Sequence, residues 1–449
     1  MKKIVLYTAS LLLFSLTACS RFLDEKSDQK LTTPVTLEDN QALLDRISDV
    51  LTNFALSGMA SSDDYYISDA DYNALNYEED KRLYTWQPNY VSTNQSSGND
   101  WQYCYKAIFI TNAVIYNLDN YNIPDAGNVR GQALVIRAAR YFDAAQTWCL
   151  AYSPATADQN LGLPLRLDPD MNIPSVRATL KETYSLIIKD LKEAIPLLPV
   201  EQVAVSRPSK VAALAYLARV YLAMGDEQNA LTYSLQALTY KNALMNFNIL
   251  KVTDSYPIKD LNIEVILRAS MRTSGATKGT FAKVPLNIYE SYDSNDLRKS
   301  IFFRVNPDQS IIFRGNYTGN ISGKLSGVAV DEVYLMIAEC YARLDNKITA
   351  MKYLNDLLVT RWRTDTFVPL TATSSDEALQ IILAERRKEL LFRGLRWMDL
   401  KRYNRDGANI KLTRTILGQT FTLQPNDLRC AIAIPEDIIK ISGIPQNPR

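Results

Sequence analysis

Residues Val211 to Tyr240 read VAALAYLARVYLAMGDEQNALTYSLQALTY, and their spacing decides the fold class. With Val211 as the first position, Leu214, Leu217, Ala218, Tyr221, Ala230 and Ala237 fall on the large and small apolar positions of a tetratricopeptide helix pair, and Gly225-Asp226 falls at the turn. Small residues let two antiparallel helices approach, while Leu and Tyr fill the groove between them. A second copy begins at Asp331 in DEVYLMIAECYARLDNKITAMKYLNDLL, where Tyr334, Ile337, Ala338, Tyr341 and Ala350 take the equivalent places. A third, partial copy begins near Gly131 with Leu134, Ala138 and Tyr141. The starts lie 80 and 120 residues apart, against about 34 in a tandem array. The pattern therefore predicts an all-α, mainly helical chain whose tetratricopeptide-like pairs are separated by long irregular insertions carrying a few short strands. Repeats supply scaffold, and insertions are where function would sit.

The first insertion is rich in aromatics. From Ser61 to Tyr105 the chain carries Tyr65, Tyr66, Tyr72, Tyr77, Tyr84, Tyr90, Trp86, Trp101, Tyr103 and Tyr105, interleaved with Asp63, Asp64, Asp69, Asp71, Asn73, Asn94 and Asn99. Sugars present apolar C–H faces ringed by hydroxyls, so a saccharide site needs flat rings for stacking and carboxylates or amides for hydrogen bonds. Trp86 and Trp101 are the first candidate platforms, with Tyr65, Tyr66 and Tyr72 next; Tyr289 and Tyr292, beside Asp293 and Asn295, make a second patch. The opposing reading of each ring is a core position, as for most tyrosines on repeat helices. Between Leu250 and Gly327 the pattern is irregular, with β-like runs at Ile301–Val305 and Ile311–Phe313.

Composition excludes several chemistries. Lys plus Arg is 50 and Asp plus Glu is 49, a balance that gives no case for nucleic acid. There is no histidine, which removes Ser-His-Asp and Cys-His devices and histidine metal sites. No cofactor is implied. Met1-Lys2-Lys3 and the apolar stretch Ile4–Leu16 form a signal-peptide core, too short to span a bilayer, that runs into Leu16-Thr17-Ala18-Cys19. The remaining cysteines, Cys104, Cys149, Cys340 and Cys430, have no metal-ligand spacing. Four allow three disulfide connectivities, between which the sequence does not choose, and Cys340 also fits a buried free thiol.

Leu16–Cys19 resembles the lipobox of bacterial lipoproteins, which would make residues 1–18 a leader, Cys19 the lipid-modified first residue and residues 19–36 a tether. Near the other end, Ala384 to Tyr403, AERRKELLFRGLRWMDLKRY, resembles the signature helix of the SusD/RagB family of nutrient-uptake lipoproteins. Similar text surrounds it. Arg130–Phe142 resembles the family's Arg-Ala-aromatic helix and is followed by Leu161-Gly162-Leu163-Pro164-Leu165. Asp296 and Arg298 match an acidic-x-Arg turn, and Ile434–Asp437 and Ile444–Pro448 match a closing segment. Arg393 stands where many members have glutamate. In the signature, Glu389 and Arg393 are four apart and can pair on a helix, as can Asp399 with Arg396 or Arg402; the stretch reads as structural.

The resemblance implies one helical domain over 37–449, its N-terminal half about 37–250 and its signature region about 251–449, with four tetratricopeptide-like pairs. It also implies a binding protein and not an enzyme: lipid-anchored on the outer face of the outer membrane, capturing glycan or oligosaccharide for a SusC-like TonB-dependent transporter. Peptide capture is the alternative within the family. A carboxylate-based glycoside hydrolase and a protein-binding adaptor are the readings outside it.

Overall fold

A computed structural model describes residues 33–89, 99–273 and 275–449. Cys19, its leader and most of the tether, together with Tyr90 and Asn94, lie outside the described residues. Ten helices of nine residues or more are described: α1 (Leu37–Asp45), α2 (Asp100–Asn120), α3 (Gly127–Trp148), α4 (Leu180–Leu197), α5 (Lys210–Met224), α6 (Glu227–Tyr240), α7 (Val330–Arg343), α8 (Lys347–Leu358), α9 (Ser375–Glu389) and α10 (Arg396–Arg405). From α2 to α9 each packs on the next in chain order, so eight helices form a series equivalent to four pairs, and α1 lies across α2 and α3.

The repeat spacing carries through to geometry. Ala218, Ala230 and Ala237 of α5 and α6, and Ala338 and Ala350 of α7 and α8, have no solvent-exposed surface. Tyr221 stacks on Tyr233 at 5.7 Å, and at the same two repeat positions Tyr341 stacks on Tyr353 at 5.9 Å. The turn position is left-handed in both pairs, Gly225 at φ 80° and Asp345 at φ 57°. The residue after it, Asp226 or Asn346, caps the following helix through its side chain. In the partial repeat, the partner of α3 is α4, reached only after an insertion that carries the antiparallel pair β1 (Leu161–Pro164) and β2 (Arg177–Thr179). Thr179 then forms a capping box with Glu182 to start α4.

Three more two-stranded ladders serve the irregular part: β3 (Val265–Leu267) with β6 (Val328–Ala329), β4 (Phe303–Val305) with β5 (Ile311–Phe313), and β7 (Leu412–Ile416) with β8 (Gln419–Leu423). Two sequence expectations need adjusting here. Ile301 and Phe302 close a helical turn, Arg298–Phe302, so only the second half of that run is strand. The signature is also not one helix: α9 ends at Glu389, and the chain turns through Phe392 (φ 59°) and Gly394 (φ 76°) before α10. At Gly394 the positive φ favours glycine, and an added Cβ would have to displace the Met271 thioether, 2.8 Å away.

Because the helix stops, Glu389 and Arg393 do not pair. Arg393 reaches Asp331 instead, at 3.0 Å. Glu389 receives Arg361 Nε at 2.8 Å and Arg298 Nη1 at 3.1 Å, all three residues being buried. Arg298 also holds Asp296 (2.7 Å) and Glu385 (2.6 Å), so the Asp296–Arg298 turn is tied to α9. Asp399 is shared by Arg386 (3.0 Å) and Arg402 (2.9 Å), and Arg402 continues to Glu339 of α7. Most charged residues of the signature thus meet a counter-ion, within the signature or from elsewhere in the fold, while Lys401 donates to the carbonyls of Gln146 and Cys149. Cys104, Cys149, Cys340 and Cys430 are buried free thiols. Among the described residues no helix is long and apolar enough to cross a membrane.

Candidate functional site

The aromatic insertion is folded by its own polar tips. Tyr65 donates its hydroxyl to the Ala60 carbonyl (2.8 Å), and Trp86 donates Nε1 to the Ser61 carbonyl (2.9 Å). β7 alternates inward and outward, which points Arg414 inward. Its guanidinium lies 4.0 Å from the Tyr84 ring centre, 4.8 Å from Trp86 and 5.3 Å from Tyr65, and donates to the carbonyls of Ala60, Ser62 and Tyr84. One cation therefore staples three rings and three carbonyls.

This corrects four candidate platforms. Trp86 is 4% exposed and Trp101 5%; Trp101 stacks on Tyr105 at 4.7 Å and meets the edge of Trp148 at 4.9 Å. Tyr65 is buried. Tyr292 is buried as well, donating to the Lys388 carbonyl at 2.8 Å, and burial pushes its hydroxyl pKa well up. These rings are core because each finds a partner for its polar atom or a ring to stack on, leaving nothing to present to solvent.

Tyr66, Tyr72 and Tyr289 remain on the surface. Tyr66 is 42% exposed, its backbone paired with Lys283 through hydrogen bonds of 2.8 and 2.9 Å. Ser68 caps the short helix Asp69–Asn73, which carries the half-buried Tyr72. Lys283 Nζ meets Asp71 at 2.7 Å, and Leu417 N, at the tip of the β7–β8 hairpin, donates to Asp69 at 2.9 Å. Tyr77 is also exposed. Exposed phenol rings thus stand among Asp69, Asp71, Asn73 and Lys283, which is the composition a sugar face requires. Tyr289, half-buried, packs edge-on against Phe303 (5.5 Å) with Lys299 Nζ 5.0 Å from its ring centre.

Beside this face lies a groove of about 680 Å³ between the segment carrying Asn287, Ile288 and Ser291, the α9 side chains Gln380, Leu383, Arg387 and Lys388, and the stretch from Arg396 to Ile410. It adjoins the tyrosine face through the chain. Asp63, three residues before Tyr66, binds Arg396 (2.7 Å) and Arg387 (2.9 Å) of the groove, and Lys283, the partner of Tyr66, precedes Ile288. Burial alone would raise the Asp63 carboxyl, but Arg396 and Arg387 outweigh it and hold it at about 2. Burial pushes Asp64 up to about 6, an effect only partly offset by Arg387. Sequence reasoning missed Lys283, Arg414 and the groove. Their partners lie hundreds of residues away, so no local spacing announces them.

The whole-chain comparisons agree with this architecture. Residues 21–222 match a family model described as "Starch-binding associating with outer membrane", and residues 331–432 match that of the SusD family. The chain belongs to the SusD/RagB family. The SusD-like protein P2 of Formosa agariphila is 26% identical over 60% of this chain, the match spanning 65% of that relative. A SusD superfamily protein from Bacteroides thetaiotaomicron superposes with TM-score 0.72 at 22% identity, covering 92% of this chain and all of the other. A SusD-like carbohydrate binding protein from Bacteroides vulgatus gives 0.63 at 21%, covering 87% and 89%. At those identities the structures establish that the SusD fold is shared.

Proposed function

We propose that this SusD-family protein captures a glycan at the Tyr66 face and passes it to a SusC-like TonB-dependent barrel, held to the outer membrane by lipid on Cys19 and facing outward. The observation that carries the reading is the exposed Tyr66 and half-buried Tyr72 set among Asp69, Asp71, Asn73 and Lys283, on a chain whose residues 21–222 match a starch-binding family description. Rings stack on sugar faces, and the surrounding carboxylates and ammonium bond hydroxyls.

Binding without turnover fits the electrostatics beside that face. A glycosidase needs one carboxyl held protonated near a second that stays ionised. Asp63 and Glu385 are instead held below their ordinary range, burial being outweighed by Arg396 and Arg387 in the first case and by Arg298 and Lys388 in the second. Asp64, the raised one, is buried and does not line the groove.

Affinity electrophoresis in gels cast with single polysaccharides tests the reading. Retardation by at least one glycan, reduced in Tyr66→Ala and Tyr72→Ala with unchanged circular dichroism, supports it. Binding to a peptide pool but to no glycan would move the assignment to peptide capture.

A further inference from the structure

Three guanidinium groups line the groove next to the tyrosine face, and each is oriented from behind by a carboxylate while keeping donors to spare. Arg396 gives Nε and Nη2 to Asp63, and Arg387 gives Nη2 to the same residue. Arg343 gives Nε to Glu339, which is buried. Among the described residues, Nη1 of Arg387, Nη1 of Arg396 and Nη2 of Arg343 donate no hydrogen bond to the protein, whereas the buried Nε of Arg387 is turned toward Asp64. Fixed guanidinium groups with unused N–H bonds suit a planar carboxylate, which accepts two such bonds at once.

The opposing charges locate where an anion would sit. Asp406 lines the groove 3.5 Å from Arg343 Nη1 and disfavours that end. Lys388 is occupied by Glu385 at 2.7 Å. At the other end, Arg387 and Arg396 share Asp63, and the second carboxylate near them, Asp64, is 3.9 Å from Arg387 Nε and buried. The groove's volume of about 680 Å³ lies within the ~300–1,000 Å³ of small-molecule sites.

We propose that the Arg387–Arg396 end of this groove binds the carboxylate of an acidic saccharide, a hexuronate-type residue, while neighbouring sugar units lie on the Tyr66 face. This rests on the glycan-capture reading and narrows it to uronate-bearing chains. Because Arg387 and Arg396 also hold Asp63, the decisive perturbation is made on the ligand. Calorimetric titration of the unmodified protein would compare oligogalacturonate, alginate and glucuronate oligomers, each against its carboxyl-reduced counterpart. A charge-assisted hydrogen bond to a carboxylate gives an expected loss of about tenfold or more in affinity on reduction. Arg387→Gln should lose about the same factor for the acidic oligomer alone, and Arg387→Lys should keep more of it than Gln does. Equal affinity for acidic and reduced oligomers, or preference for neutral glycans throughout, overturns the proposal and leaves glycan capture standing. Failure of every saccharide to bind overturns both.

Discussion

Replacing Glu389 by alanine tests whether the family signature is architecture. Glu389 is 2% exposed and each of its oxygens holds a fully buried guanidinium, Arg361 at 2.8 Å and Arg298 at 3.1 Å. Breaking a buried ion pair by removing one partner costs about 3–5 kcal/mol, because the remaining charge stays desolvated. The loss here is cushioned. Arg298 keeps Asp296 and Glu385, and Arg361 keeps Glu264 at 2.8 Å. A value near the lower end, about 3 kcal/mol, is therefore expected for Glu389→Ala, with Glu389→Gln losing less. Urea unfolding at neutral pH measures it. A double-mutant cycle with Arg361→Met should show the pair costing less than the sum of the singles. Loss under about 1 kcal/mol for Glu389→Ala, an ordinary surface-like value, would refute the reasoning, as would strict additivity in the cycle.

Trp101→Ala should cost about 3–5 kcal/mol, the range for emptying a large aromatic from a core, whereas Tyr66→Ala should stay within about 0.5 kcal/mol; chemical denaturation of both separates core ring from surface ring, and reversed values would contradict the assignment. Tyr66→Ala should instead weaken glycan capture by roughly 1–3 kcal/mol, the scale of a strong interface residue, read by titration. Glu339 is held at about 2 against its ordinary 4.5, because Arg402, Arg343 and Arg386 outweigh the upward push of burial. The unfolded chain then takes up this proton first, so the stability it contributes is present above 4.5 and is lost as pH falls towards 2. Up to about 3 kcal/mol is at stake. Stability profiles of the parent and of Glu339→Gln that run parallel through that window would rule the linkage out. Gly225→Ala, at φ 80° with Arg405 Nη2 only 2.9 Å from the added Cβ, should destabilise by about 1 kcal/mol or more in thermal melts; a neutral or stabilising result would mean the turn relaxes.

The scaffold was legible in the sequence because repeat packing writes itself locally. Ala218, Ala230, Gly225 and Tyr221 lie within one 30-residue stretch, and each does in three dimensions what its spacing announced. In the signature the Asp399–Arg402 pair was legible too, at 2.9 Å, but the partners of Glu389 and Arg393 were not. The Glu389–Arg393 expectation assumed a helix that continues, and the left-handed Phe392 and Gly394 end it. The site was read least well. Aromatic density pointed to the insertion as a candidate, but density does not separate a ring stapled by Arg414 from one facing solvent. That distinction is made by a strand more than 300 residues further on. Tyr66 keeps its ring exposed while its backbone pairs with Lys283, a contact that no local pattern encodes.

The most direct test of glycan capture is to titrate the purified protein with a panel of neutral and acidic oligosaccharides and short peptides, analysing every sample afterwards for chain length. The account predicts saturable binding of at least one saccharide, weakened in Tyr66→Ala, with the oligosaccharide recovered intact. Saccharide shortened at a rate abolished by a single Asp or Glu substitution would contradict it, as would a panel in which only peptides bind.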